Sequence, residues 1–184
     1  MLKIQELKAT PSLELFAELV ELLQDVVGSG ASIGFPAVPS TKDARNYWAQ
    51  VLEAAGRGER RIFVATDEHA CAGVVQLGMA AKANGRHRGE VQKLMVHTQY
   101  RRRGIGRALL AALEQAAAAD GLALLVLDVR EADPAEAAFR ACGYQRAGAI
   151  PNFARAPDGR LHGTVIYYHE LPAAAPGKAR SSAV

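Results

Sequence analysis

The sequence predicts a mixed α/β fold, in which a sheet carries helices on its faces. Three observations predict it. Apolar residues recur at three- and four-residue steps in two segments before residue 57, as in amphipathic helices. Short apolar runs separated by polar turns then follow to residue 96, as in strands. From residue 104 to residue 168, helical and strand-like segments alternate.

Two helices come first. Thr10 as N-cap and Pro11 in the first helical position predict where the first one begins, and its apolar stripe comprises Leu13, Phe16, Val20, Leu23 and Val27. Glycines at positions 28, 30 and 34 end that stripe. The second helix is predicted from about Ser40 to Gly56, and its buried side comprises Ala44, Trp48, Val51, Leu52 and Ala55.

Three strands and a third helix follow. Residues 61–66 and 72–77 flank a polar turn at 67–69, which predicts a hairpin. Residues 90–96 alternate in part and predict the next strand. The third helix is predicted from Gly104 to Ala119, because Asp120 and Gly121 are typical of a helix end.

The rest of the chain predicts a strand, a helix and two more strands. Residues 122–129 are continuously apolar except for Asp128, as in a strand covered on both faces. Asp133, Pro134 and Glu136 have capping-box spacing and predict the last helix, closed by Gly143. The final strands are predicted near residues 145–149 and 164–168.

Length and composition limit the class of protein. The 184 residues, 49% hydrophobic and 22% charged, suit one globular domain, predicted at residues 1–172. Residues 173–184 are small and polar and predict a disordered tail. No apolar run approaches the ~20 residues that span a bilayer, and no apolar signal core follows Met1, so we expect a cytoplasmic protein without a membrane partner. Cys71 and Cys142 lie far apart and predict buried thiols in a reducing compartment.

A basic turn that contains glycines, Arg101 to Arg107 (RRRGIGR), separates a predicted strand from a predicted helix. The first turn of a helix has N–H groups without intrahelical acceptors, and its dipole favours negative charge. Gly104 and Gly106 lack the Cβ atoms that would keep a phosphate away, and the arginines add positive charge. The spacing therefore predicts a diphosphate site.

Other interpretations of this turn stay open. It is not the dinucleotide fingerprint, since Leu109 stands at the third glycine of G-x-G-x-x-G, and no G-K-[ST] of a P-loop follows. A solvated basic turn, or a contact with nucleic-acid phosphates, is the alternative, in keeping with the net charge of +3. No aromatic residues alternate with the arginines, so we expect no nucleic-acid partner.

Three features together resemble the GNAT superfamily of acetyl-CoA-dependent N-acetyltransferases. They are the pattern R-x-x-G-x-G after the strand EVQKLMV, a later strand with Asp128 near its end, and a helix followed by C-G-Y. The resemblance covers about residues 60–170. It implies the GNAT fold, with a mostly antiparallel sheet of about six to seven strands flanked by about four helices. It also implies acetyl-CoA as the cofactor.

Further stretches resemble one branch of that superfamily, the tabtoxin-resistance acetyltransferases, which detoxify a β-lactam amino acid. They are GASIGF (30–35), NG (84–85), EVQKLMV (90–96), RRGIGR (102–107) and PDGRLHGTVIYY (157–168). The last stretch lies outside the cofactor motif and is the better evidence for that branch. The resemblance implies antibiotic or toxin resistance as the biological role.

The resemblance implies how the cofactor is held. The main chain of Leu94, Met95 and Val96 would pair with the pantetheine arm as an added strand, and one of its N–H groups would polarise the thioester carbonyl. The last helix would contribute Ala135 and Phe139. The pyrophosphate would be bound by Arg101, Arg102, Arg103, Gly104, Ile105, Gly106 and Arg107.

Acetyl transfer to an amine needs a proton acceptor. An alkylamine with a pKa near ~10.4 is mostly ammonium at pH 7, and freeing its lone pair costs about 4–5 kcal/mol. Glu90, at the start of its strand, stands where the resemblance implies a base. Asp128 is the only charge in its apolar strand and lies at the end where α/β sheets bind ligands. The alternatives are a glutamate that faces water and an aspartate hydrogen-bonded to loop amides.

The last helix departs from the family pattern. Many GNAT enzymes carry a tyrosine four residues before its closing glycine, as general acid for the leaving thiolate, and this chain has Phe139 there. A thiol with a pKa near ~8.5 leaves tolerably well without an acid. Tyr144 is the next candidate, and we expect it in the core. The sequence leaves the general acid unidentified.

The expected acceptor is a small amine, either an amino acid or a toxin that resembles one. Its candidate contacts lie in the loop at 30–35 and in the segment 152–162, and they are Ser32, Gly34, Phe35, Asn152, Arg155 and His162. An ordinary polar hairpin loop is the alternative for the second segment. No histidines and cysteines have metal-ligand spacing, so no metal is expected.

Two other functions fit the same resemblance. A protein lysine or N-terminal acetyltransferase would need an open peptide groove. A non-catalytic sensor of acetyl-CoA would share the cofactor site and lack turnover, which is consistent with Phe139. Relatives in the superfamily are often dimers, so the resemblance implies a homodimer as one oligomeric state.

Overall fold

The computed structural model describes residues 2–8, 10–67, 70–156 and 158–172. The predicted tail at 173–184 lies outside the described residues, as do positions 68 and 69 of the predicted turn. Within the described parts of the chain, no helix has both the length and the apolar character needed to cross a bilayer.

One sheet contains the seven described strands: β1 (Lys3–Glu6), β2 (Arg60–Thr66), β3 (Cys71–Met79), β4 (Arg88–Val96), β5 (Leu124–Arg130), β6 (Gln145–Arg155) and β7 (Leu161–Glu170). Their order is β1-β2-β3-β4-β5-β7-β6. Among these strands only β4 and β5 pair in parallel; every other pair is antiparallel. The described α-helices are α1 (Leu13–Gly28), α2 (Thr41–Gly56), α3 (Ile105–Ala119) and α4 (Ala135–Ala141). The predicted fold class is confirmed.

The helices cover the two faces of the sheet and divide the core into two clusters. On one face, α1 and α2 pack against alternate side chains of the strands, including Ile62, Val64 and Met95. Trp48 is fully buried there, as predicted, and its Nε1 donates to the carbonyl of Leu19, 2.7 Å away. On the other face, α3 and α4 cover the remaining strand side chains, among them Leu77, Leu125, Leu127 and Tyr167.

The sheet opens between β4 and β5. Their parallel ladder ends at Glu90 and Val126. The register of β4 against β3 shifts between Val74 and Gln76, which gives β4 one extra residue. Lys93 lies in this bulge with a φ of +50°. Because a bulge bends its strand and increases the local twist, the outer half of β4 is directed away from β5.

The start of α1 differs from the prediction. Ser12 rather than Thr10 is the N-cap, and Leu13 rather than Pro11 is the first helical residue; the Ser12 Oγ accepts a hydrogen bond from the Leu15 N–H, 3.2 Å away. Ser12 has extended backbone angles, as an N-cap requires. Leu13, predicted in the apolar stripe, is 82% exposed, because the helix begins only there and its first turn extends beyond the core.

Three strand predictions need correction. β1 has no counterpart among the predicted strands, because four residues at a sheet edge show too little alternation. β5 is not covered on both faces: Leu125 and Leu127 are buried, whereas Asp128 is exposed at the opening of the sheet. The predicted loop at 152–162 belongs largely to β6 and β7, and only residues 156–160 connect them.

The acidic residues predicted at the start of the last helix do cap it, but the helix begins one residue later than a capping box that starts at Asp133 would give. Pro134 is the N-cap position. Asp133 Oδ1 accepts from the Ala135 N–H at 2.9 Å, and Glu136 Oε1 accepts from the Ala132 N–H at 2.8 Å. These two carboxylates fix the beginning of α4, and Gly143, with a φ of +89°, follows its end.

Candidate active site

One large cavity lies at the opening between β4 and β5, and its volume is about 1000 Å³. The loop between α1 and α2, the two strands, the start of α4 and the β6–β7 hairpin surround it. Groups from both faces of the sheet therefore meet there. Ten predicted site residues line it: Ser32, Gly34, Phe35, Glu90, Leu94, Asp128, Ala135, Phe139, Arg155 and His162.

The two predicted catalytic carboxylates lie on the same side of the sheet. Glu90 pairs in register with Val126, and Asp128 follows Val126 by two residues, so all three side chains point to one face. Both carboxylates are solvent-exposed within the cavity. Thr164 Oγ1 lies 3.2 Å from Asp128 Oδ2 and 3.0 Å from the Val129 carbonyl. The hydrogen bond recorded for Asp128 is thus to a neighbouring hydroxyl rather than to loop amides.

The outer half of β4 presents a free strand edge. Val96 and Met95 pair with β3 on one side, whereas the ladder to β5 on the other side has already ended. Leu94 lines the cavity, and Met95 is buried beneath α1 and α2. An extended ligand with amide groups can therefore add to this edge as a strand does.

The first turn of α3 has room for an anion. Gly104 is the N-cap with a φ of +78°, which an L side chain rarely adopts, and a Cβ there would meet open space. A Cβ on Gly106 would lie 3.7 Å from a methyl group of Val96 and so would occupy the space between the helix start and β4. The first backbone bond in α3 is from the Ala108 N–H to the Gly104 carbonyl, so the preceding N–H groups point outward. Residues 101–107 do not line the large cavity itself.

The arginines of this turn have separate environments. Arg101 donates to Ser29 Oγ at 2.6 Å and to the Val96 carbonyl at 3.3 Å, which ties the turn to the end of α1. Arg103 stacks on the ring of Tyr100 with its Cζ 5.3 Å from the ring centroid. Arg102, with a φ of +64°, and Arg107 are exposed. All four remain close to the start of α3.

The last helix places an apolar ring at the cavity. Phe139 is buried, lines the cavity and packs edge-on against Tyr144, with ring centroids 5.8 Å apart. Tyr144 is in the core, as predicted, and its pKa is raised because burial disfavours the phenolate and Glu114 lies beside it. Tyr144 does not line the cavity. Neither ring therefore presents a hydroxyl to the cavity.

Most of the residues predicted to contact the acceptor line the cavity. Phe35 packs edge-on against Tyr47, with centroids 5.3 Å apart. Arg155 Nη1 donates to the Gly159 carbonyl at 2.8 Å, and His162 lies half-buried on β7. Asn152, with a φ of +55°, is exposed on β6 and does not line the cavity.

Among the cavity or near-cavity residues that were not predicted from the sequence, four form a polar group. Lys93 and Arg60 bring positive charge into the cavity, and Tyr47 brings a hydroxyl. Gln76 is fully buried, accepts from Arg60 and donates to Tyr47 Oη at 3.0 Å. The sequence signal for Lys93 was the charge that interrupts the apolar alternation of EVQKLMV. The contacts of Gln76 carry no sequence signal, since they join three separate elements.

Known proteins resemble this chain in sequence and in fold. Residues 22–144 match the model of the acetyltransferase (GNAT) family. An N-acetyltransferase from the hisH–hisA intergenic region of Azospirillum brasilense is 33% identical over 116 residues, which are 62% of this chain and 67% of that protein.

Two solved structures show the same fold. An N-acetyltransferase of Staphylococcus aureus superposes with a TM-score of 0.76 at 20% identity, covering 94% of this chain and 99% of that one. A Salmonella typhimurium structure solved with its cofactor acetyl-CoA has a TM-score of 0.74 at 18% identity, covering 97% and 99%.

The open edge of β4 and the uncrowded start of α3 fit a ligand with an amide-bearing arm and a diphosphate. Acetyl-CoA, which GNAT acetyltransferases use, has both parts. The family model covers more than half of the sequence. The chain therefore belongs to the GNAT acetyltransferase family and is an acetyl-CoA-dependent N-acetyltransferase.

Proposed function

We propose that this enzyme acetylates the amine of a small molecule, either an amino acid or a toxin that resembles one. The observation that carries the proposal is the charge arrangement of the cavity. Carboxylates from Glu90 and Asp128 face the same space as cations from Lys93, Arg60 and Arg155. A cavity with both signs of charge suits a zwitterion, and its walls on several sides favour a small acceptor over a peptide chain.

The cofactor would lie between β4 and the helices α3 and α4. Residues 101–107 would hold its pyrophosphate, because the N–H groups of the α3 start and the arginines favour an anion. The main chain at Leu94, Met95 and Val96 would pair with the pantetheine amides, and one N–H would polarise the thioester carbonyl. Ala135 and Phe139 would pack against the arm. When bound, the cofactor supplies the acetyl thioester that the amine attacks.

Glu90 and Asp128 would bind the acceptor's ammonium group and accept its proton, directly or through water. The Thr164 hydroxyl beside Asp128 would orient that carboxylate towards the cavity. The negative charges of Glu90 and Asp128 would attract the positively charged amine before it is deprotonated.

Transfer is proposed to be direct, from a ternary complex. Cys71 is buried in the core beneath α1 and α2, and burial raises the pKa of its thiol to about 12, which makes it a poor nucleophile. Cys142 does not line the cavity. The leaving thiolate would be protonated by water, since Phe139 has no proton to give.

The proposal includes a setting for the enzyme. The domain at 1–172 and the cytoplasmic location are proposed from length and composition, and the role in toxin resistance from the sequence resemblance to the tabtoxin-resistance branch. Cys71 and Cys142 are both free thiols, in keeping with a reducing compartment. A homodimer is supported by exposed Ile150 and Phe153 on the edge strand β6.

The decisive experiment is a thiol-release assay. The protein is incubated with acetyl-CoA and a panel of amines that includes amino acids, β-lactam amino acids, lysine peptides and peptide N-termini, and free thiol is measured. We expect release with one or more free amino acids or their analogues. Release with peptides alone would favour a protein acetyltransferase.

Binding without release would contradict the proposal in a different way. If calorimetry shows acetyl-CoA binding but no amine releases thiol, the chain acts as a sensor of the cofactor. Steeply salt-dependent binding to a DNA duplex that coenzyme A does not affect would assign the basic turn to nucleic acid.

A further inference from the structure

The floor of the cavity carries two cations that come from different strands. Lys93 occupies the bulge of β4, and Arg60 begins β2, two strands away. Both side chains are half-buried and line the cavity. A Cβ placed on Gly34 would lie 3.2 Å from Lys93 Nζ, so the ammonium group lies directly beneath the α1–α2 loop.

The backbone directs Lys93 to this place. The bulge adds a residue that has no partner on β3, and its left-handed φ of +50° breaks the alternation of the strand. Gly34, with a φ of +86°, lets the loop pass close to the lysine, since a Cβ added there would lie only 3.2 Å from Nζ and the lysine would have to shift slightly.

A buried glutamine fixes the orientation of Arg60. It donates to Gln76 Oε1, and Gln76 in turn donates to Tyr47 Oη at 3.0 Å. Gln76 is fully buried, so its amide cannot turn to water instead. The guanidinium group is therefore fixed at the cavity, with its remaining N–H groups available.

Within the described parts of the chain, no direct ion pair joins Lys93 or Arg60 to an acidic side chain, although Asp128 and Glu90 act on Lys93 from a longer distance. Burial lowers the pKa of Lys93 below its usual value and Arg60 lowers it further, while Asp128 and Glu90 act in the opposite direction. Two neighbouring, partly desolvated cations without a direct ion pair are stabilised when an anion binds between them.

We propose that Lys93 and Arg60 form the site for a carboxylate of the acceptor. The acceptor's amine then faces Glu90 and Asp128, and the two charged ends of an amino acid are bound by opposite sides of one cavity. The inference rests on the proposed function and narrows it to acceptors that carry a carboxylate close to the reacting amine. Lys93 contributes specificity, since it selects the acceptor without touching the acetyl group.

The test compares amino acids with their carboxamides, which keep the amine and lose the negative charge. For the amino acid with the highest thiol release, we expect kcat/KM to exceed that of its amide by about tenfold or more. In Lys93→Gln, kcat/KM for the acid should fall about tenfold, whereas the value for the amide should change less than about threefold. Lys93→Arg should restore much of the preference because it keeps the charge. Lys42→Gln, on the exposed side of α2, is the matched control and should behave like the parent.

Two results would overturn the inference while leaving the proposed function intact. One is equal kcat/KM for acids and amides in the parent enzyme. The other is an unchanged preference in Lys93→Gln. A coenzyme A titration by calorimetry and a thermal melt show that the Lys93 variants are folded and bind the cofactor. Absence of thiol release with every acid and every amide would overturn the proposed function, and this inference with it.

Discussion

At the scale of single residues, the cavity depends on a few side chains of opposite charge. Glu90 and Asp128 share one face of the sheet because of their register on β4 and β5. Lys93 shares their cavity only because a bulge breaks the alternation of β4. Gly104 and Gly106, at the other end of the proposed cofactor site, contribute by leaving space rather than by making contacts.

Removing either carboxylate should slow chemistry more than it weakens cofactor binding. We expect Glu90→Gln and Asp128→Asn to lower kcat by about 10²-fold, a typical contribution of acid–base catalysis. The Kd of coenzyme A should stay within about threefold of the parent value, since neither carboxylate lies at the start of α3. Steady-state kinetics and calorimetry measure the two quantities, and Glu21→Gln, exposed on α1, is the control. A variant with parental kcat would remove that residue from the mechanism.

Filling the space at the start of α3 should weaken coenzyme A. In Gly106→Val, the added side chain occupies the gap next to Val96, and we expect Kd to rise about tenfold or more because the phosphate can no longer approach the helix N–H groups. Gly56→Val is the matched control, since it is also a helical glycine and its Cβ would meet open space. Equal coenzyme A affinity in the two variants, measured by calorimetry, would argue against the pyrophosphate site.

At the scale of elements, ion pairs and hydrogen bonds connect parts of the chain that are distant in sequence. Asp25 at the end of α1 accepts from the Thr98 N–H and hydroxyl, at 2.8 and 2.7 Å, which fixes the turn that leads into α3. Arg61 on β2 donates to both carboxylate oxygens of Glu6 on β1, at 2.7 and 2.8 Å, and also to Asp120 after α3. These contacts hold the edge strand β1 and the turn before α3 in place.

The Glu6–Arg61 pair should make stability depend on pH. Hydrogen bonding to Arg61 lowers the pKa of Glu6 below its usual value, so the pair stabilises the folded state fully above the ordinary glutamate pKa. That contribution is lost as pH falls through the lowered pKa. At pH 7 we expect Glu6→Gln to reduce the free energy of unfolding by about 1 kcal/mol, and we expect the difference to shrink as the solution is made acidic. Urea denaturation across this pH range measures it, and a gap that is independent of pH would contradict the assignment.

At the scale of the whole molecule, the cavity is where the two faces of the sheet meet. α1 and α2 bury one cluster of apolar residues, and α3 and α4 bury the other. The opening between β4 and β5 connects a proposed acceptor region formed by the α1–α2 loop with a proposed cofactor region formed by α3 and α4. A ligand bound there contacts elements from both halves of the core.

Cofactor binding should therefore stabilise the entire domain. Acetyl-CoA at about 100 times its Kd adds about 2.7 kcal/mol by mass action. For a chain of this size we expect the melting temperature to rise by about 5–10 °C. Differential scanning fluorimetry with and without acetyl-CoA measures the shift. At the same acetyl-CoA concentration, the melting temperature of the Gly106→Val variant should rise less. No shift in the parent protein at saturating acetyl-CoA would contradict the cofactor site.

The order of helices and strands could be predicted from the sequence because local periodicity reports it, and the basic turn at 101–107 could be predicted because it forms one continuous helix start. Asp128 was proposed as a site residue because it is the only charge in its apolar strand, and Glu90 because it opens its predicted strand where the resemblance implies a base. β1 could not be predicted, since four residues at an edge carry little periodicity. The N-cap at Ser12 could not be predicted because it is set by the point at which α1 extends beyond the core. The extension of β6 to Arg155 could not be predicted because it results from pairing with β7.

The sequence by itself determined the family, the fold class and the type of cofactor, because each depends on short contiguous patterns. Only the tertiary structure decided that Lys93 and Arg60 line the same cavity as Glu90 and Asp128. That arrangement requires a bulge, an interrupted parallel ladder and a glycine loop from another part of the chain. Side chains from β2, β4 and β5 become neighbours through strand register, and register is a property of the paired sheet rather than of any one segment.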